Sequence, residues 1–172
     1  MFSQILFILL VVLSLFYPLM SGAKTIKAHA HGESNWSLAF EGQTGRLMID
    51  TPAESLLGFE KEPKKKKEIE KANEALAQFE KSISQMVVIP EMYGCQWSKK
   101  ALDIIRAEPE SKHCEIEGEF EITCQKNLDE AKITFNIQKY FPRFRLVNFE
   151  ILFGNIQKSL PVTKSGTKVY LK

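Results

Sequence analysis

The stretch that decides the fold is "SNWSLAFEGQTGRLMID", residues 34–50. Trp36, Leu38 and Phe40 alternate with smaller or polar neighbours, so three large side chains share one face of an extended strand. "EGQTG" supplies a turn, and Leu47 and Ile49 resume the alternation, which predicts a β-hairpin with one apolar face.

Working outward, "TPAESLLGFEKEP" reads as an extended connection with a proline near each end. Its Leu56, Leu57 and Phe59 are expected to pack down as a lid or a short helical turn. "KKKKEIEKANEALAQFEKS" follows, with Ile69, Ala72, Leu76 and Phe79 at helical spacing and Lys and Glu on the other faces. The four lysines Lys64 to Lys67, flanked by Glu62, Glu68 and Glu70, read as a solvated helix flank rather than an anion site. "SQMVVIP" and "GCQWSKKALDII" read as two more strands.

After the polar connector "RAEPESKH" the same order of elements recurs. "CEIEGEFEITC" places Ile116, Phe120, Ile122 and Cys124 on one face, and "AKITFNI" is a second strand. "IQKYFPRF" is a short helix or turn, and "LVNFEILFG" and "TKVYL" are strands. The expectation is an α+β protein with mostly antiparallel strands, in two similar strand-strand-helix-strand-strand units. They span residues 24–107 and 108–172, joined by a short polar connector and packed as one protein.

Residues 1–23 stand apart. Ile5 to Met20 is almost continuously apolar and is followed by Ser21-Gly22-Ala23, a small-x-small pattern that suits cleavage of an export signal. The apolar run is short for a membrane span and contains Pro18, so no stable membrane insertion is expected after cleavage. At 172 residues, 44% hydrophobic and 26% charged with a net charge of +2, the chain has an ordinary globular balance. That charge gives no reason to expect nucleic acid as partner.

Export bears on Cys95, Cys114 and Cys124, because in an oxidising compartment two of three cysteines pair and one is left over. Any of the three pairings is open at this point.

Two of the three histidines, His29 and His31, lie two apart in "KAHAHGES". On an extended strand they would sit on one side, roughly 6.5–7 Å apart, close enough to converge on one ion. His113 and Cys114 offer one more imidazole and a thiol, and Glu33, Glu115 and Glu117 could add oxygen. No catalytic signature accompanies them: G-x-S-x-G, H-E-x-x-H, C-x-x-C and Gly-rich phosphate loops are all missing from the sequence, so a non-catalytic role is expected.

Taken together, "AHAHGESNWSLAFEG", "LMIDTPAESLLGFEKEP", "GC", "GEFEITC" and F-P-R-F resemble the ZrgA-like proteins, periplasmic zinc-regulated and zinc-binding proteins. The resemblance runs from about His29 to Leu171. It implies a periplasmic protein that binds zinc and assists zinc acquisition with the solute-binding component of a zinc importer. It also implies pairing of Cys95 with Cys124, leaving Cys114 free, and a zinc-binding role for His29 and His31. One departure matters. The His-rich loop of the family is reduced here to "AEPESKHC", with one histidine, and Lys61 stands where the family usually has another. Any zinc must therefore bind at a small site, with His29 and His31 as its nucleus and His113 as a further ligand. The competing expectation is a metal-independent protein-interaction module on the same fold.

Overall fold

The computed structural model describes residues 32–107 and 111–171. The expected signal segment, His29 and His31 lie outside these residues. The hairpin forms as its alternation predicts: β1 (Glu33–Glu41) pairs antiparallel with β2 (Thr44–Pro52), Trp36 opposite Ile49 and Leu38 opposite Leu47. The connection becomes the short helix α1 (Ala53–Leu57), with Leu56 and Leu57 buried. The long helix α2 (Lys66–Met86) follows, then the two-residue strand β3 (Val87–Val88) and β4 (Gln96–Arg106). The second half supplies β5 (Cys114–Thr123), β6 (Lys132–Phe135), α3 (Ile137–Tyr140), β7 (Leu146–Phe153), β8 (Ile156–Val162) and β9 (Thr167–Tyr170).

Six strands form one sheet in the order β4-β5-β2-β1-β7-β8, and β3, β6 and β9 form a second, smaller one. All pairings are antiparallel except β1 with β7, where Trp36 lies beside Phe149. The α+β reading with mostly antiparallel strands holds. The pairings do not reproduce two repeated units. The large sheet interleaves the halves, with β5 inserted between β4 and β2, and β7 placed against β1. The physical reason is that β1, β2, β5 and β7 each carry a single apolar face, and these faces bury best when aligned side by side.

One side of the large sheet is covered. Trp36 packs edge-on against Phe79 of α2, Phe144 and Phe149, with ring centroids 5.4–5.8 Å apart. Phe135 of the small sheet meets Phe149 at 4.3 Å. Each fully buried side chain of this size contributes about 1.5–3 kcal/mol by leaving water.

Three details differ from the sequence expectation. Ile69, expected on the inner face of α2, is 42% exposed, because the first turn overhangs the core and Ala72 is the first residue to reach it. "SQM" belongs to α2 and not to a strand: Phe79, Ser82, Ile83 and Met86 continue the buried helical stripe to its end. β8 had no counterpart in the sequence reading. It is an edge strand holding Pro161, a residue such an edge tolerates.

Candidate functional site

At the end of the large sheet where β1 and β5 begin, the backbone builds a site around His113. Gly58, in the left-handed conformation (φ 79°), ends α1 and donates its N–H to the Glu54 carbonyl at 2.9 Å. The turn sends residues 59–62 back along the start of β5, where the Cys114 N–H donates to the Glu60 carbonyl at 2.7 Å. Arg143 secures α1 from the other side by donating to the Glu54 and Leu56 carbonyls. His113 is fixed by its own backbone: its N–H donates to Ser111 Oγ at 3.0 Å, and its carbonyl accepts the Ala107 N–H at 3.1 Å.

This scaffold brings Glu60 Oε2 to 2.7 Å from His113 Nδ1. In the neutral ring, an Nδ1–H donated to a carboxylate leaves Nε2 as the lone-pair nitrogen, the tautomer that ligates a metal ion. A carboxylate behind a histidine is the arrangement that orients metal-binding imidazoles and raises their basicity.

Glu60 also lines a cleft of about 820 Å³ with Phe59, Glu62, Arg106 and Cys114. Glu62 accepts a 2.7 Å bond from Arg106 Nη2, and that guanidinium holds the Glu62 carboxyl below the usual range. Burial pushes the Cys114 thiol up, the Glu62 charge adds to this, and Arg106 opposes it. Cys114 therefore rests as a neutral thiol, a poor ligand beside the thiolate that zinc prefers. Of the residues singled out in the sequence, His113 gains a partner and Cys114 is buried next to it in the chain. Successive strand residues point to opposite faces, so Cys114 faces inward and Glu115 outward.

Glu33 opens β1 and Glu115 is the second residue of β5, and these strands flank β2, so their backbones stand two strands, or about 10 Å, apart. Glu117 lies farther along β5, opposite Asp50 and Asp103. Among the described residues, no group of three or more His, Cys, Asp or Glu side chains is placed to hold a metal ion. The chain reaches β1 through Gly32, whose carbonyl accepts the Arg145 and Leu146 N–H groups. Gly32 therefore lies at the same end of the sheet as His113, and His29 and His31 precede it outside the described residues. Sequence reasoning passed over Glu60 as a partner for His113. The only signal for it was the Gly58-Phe59-Glu60 step in the family-like opening. The Cys95–Cys124 disulfide is present and Cys114 is a free, buried cysteine, as the resemblance implied.

The sequence model for ZrgA family zinc uptake proteins matches residues 28–171. The chain belongs to the ZrgA family. No curated protein matches it. In this ZrgA family member the matched span takes in His29, His31 and the His113–Glu60 pair alike. Among the described residues, no helix is long and apolar enough to cross a membrane.

Proposed function

We propose that this ZrgA family member is a periplasmic, non-catalytic accessory that binds zinc and assists its uptake together with the solute-binding component of a zinc importer. The observation that carries the reading is the 2.7 Å contact between His113 Nδ1 and Glu60, which presents Nε2 for a metal bond. Zinc needs about four ligands, so His113 is completed by His29 and His31, which precede Gly32 by three and one positions respectively, and by a carboxylate or water. Zinc here is cargo: held tightly enough to be collected and loosely enough to be passed on.

Zinc titration of the mature protein tests this. The expected result is one zinc per chain, with affinity lost in both His113→Ala and His29→Ala/His31→Ala. Glu60→Gln weakens it about 10–100-fold, as loss of a partner behind a ligand does. Equal affinity in all variants, or no zinc bound by wild type, overturns the reading.

The reduction of the family's His-rich loop to "AEPESKHC", with Lys61 in place of a further histidine, favours a second reading, a metal-independent interaction module on the same fold. Capture of the importer component in the presence of a chelator supports that reading. Capture that depends on zinc refutes it.

A further inference from the structure

The covered side of the large sheet holds the core, and its other side carries an acidic hollow. Asp103, Glu117 and Asp50 stand directly opposite one another on β4, β5 and β2, and Asn35 and Asn148 continue the row across β1 and β7. The next row brings Glu119 and Glu150. These five carboxylates are the only ionisable groups among the described residues lining a hollow of about 600 Å³. Glu119 is paired with Arg46 at 3.1 Å. Asp50, Asp103, Glu117 and Glu150 have no ion-pair partner among the described residues. Like charges directly across neighbouring strands destabilise a sheet, so this row is a local cost, in a chain whose net charge is +2. Met48 and Leu152, 43% and 41% exposed, add apolar surface to the same face.

The chain also carries the complementary surface. Lys64, Lys65 and Lys66 at the start of α2 expose 75–90% of their side chains, and Lys67 is exposed beside them. Their carboxylate neighbours lie 3.8–4.0 Å away. Two of these are otherwise engaged: Glu62 bonds Arg106 at 2.7 Å, and Glu68 accepts the Lys64 and Lys65 backbone N–H groups. α2 packs on the covered side of the sheet, through Phe79 against Trp36. The lysines and the acidic hollow therefore face away from each other and cannot meet within one molecule.

We infer that the acidic face docks the α2 lysine cluster of a second copy of this chain, head to tail. Because the two patches face away from each other, no single two-fold contact can satisfy both, so association runs head to tail, into open chains unless the rotation between copies closes a ring. Exposed charges attract over about 8 Å at physiological ionic strength and over only about 3 Å at 1 M salt, so the association is weak and salt-sensitive.

Sedimentation velocity over a concentration series, with chelator present, tests it. Wild type is expected to gain mass with concentration at low ionic strength and to return to monomer in about 1 M salt. Glu117→Lys/Glu150→Lys and Lys66→Glu/Lys67→Glu, each alone, are expected to stay monomeric. An equimolar mixture is expected to form heterodimers, because the lysines of the first variant still meet the acids of the second. The mixture also controls for folding, since two misfolded variants cannot complement each other. A wild type that is monomeric at every concentration, variants that associate like wild type, a mixture that stays monomeric, or association that appears only when zinc replaces chelator would each overturn the inference.

Discussion

Across the β1–β2 hairpin the Phe40 ring lies over Gly45, and a Cβ at position 45 would fall inside van der Waals contact with it. Phe40 is 5% exposed and has little room to yield. Gly45→Ala should destabilise the protein by about 1–3 kcal/mol, the range for forcing extra volume into a packed site. Urea unfolding measures this, and Phe40→Leu in the same chain should recover part of the loss. Cys114 gives a second prediction. Its thiol is held above the ordinary cysteine value of about 8.5, first by burial and then by Glu62. Native Cys114 should thus begin to react with a disulfide reagent at higher pH than a free cysteine does, while denatured protein yields one thiol per chain. The stability tied to the neutral thiol is complete below the unfolded value and is lost as pH rises through the folded one. At this scale the sequence was readable wherever side-chain period alone decides placement, as at Trp36, Leu38 and Phe40. The His113–Glu60 contact was not, because it depends on how the chain turns at Gly58 and returns to β5.

Among the elements, the N-terminal end of α2 is crowded by four lysines, Lys64 and Lys65 just before it and Lys66 and Lys67 in its first turn, which oppose the positive end of its own dipole. Glu68 counters this by accepting the Lys64 and Lys65 backbone N–H groups, both at 3.2 Å, and those bonds hold its carboxyl below the usual range. A carboxyl lowered in this way stabilises the fold above its unfolded value, and the contribution disappears as pH falls through the folded one. Glu68→Ala should lower Tm at pH 7 and make little difference near pH 3; an equal drop at both pH values would rule out the charge-assisted cap. The same helix explains where sequence reading of elements stopped. Val87, Val88 and Ile89 favour a strand, but the buried stripe from Phe79 to Met86 keeps the preceding residues helical. Packing against the sheet outweighs local propensity there. β8 was missed for a related reason. Its inward positions alternate in the fold, but Lys158 stands among them between Ile156 and Leu160 and Pro161 interrupts the run, so the sequence shows no clean apolar alternation.

For the molecule as a whole, the order β4-β5-β2-β1-β7-β8 determines how it can come apart. Residues 24–107 without the second half would leave β4 with no strand partner, because β5 is its only one, and would expose the buried faces of β1 and β2. Residues 108–172 alone would separate β5 from the β7–β8 pair, since β2 and β1 lie between them. The disulfide from Cys95 to Cys124 crosses the same division and ties the start of β4 to the end of β5. Neither half should therefore fold by itself, and the intact protein should unfold in one transition, with fluorescence of Trp36 in β1 and Trp97 in β4 coinciding with far-UV circular dichroism. Reducing the disulfide should lower the midpoint without splitting the transition, at a cost of about 2–4 kcal/mol. Two separate transitions, or slow amide exchange in either half expressed alone, would show instead that the halves are independent units. A single transition would mean that the His113 end of the sheet unfolds together with the core that carries it, so that the zinc binding proposed there would stabilise the whole fold.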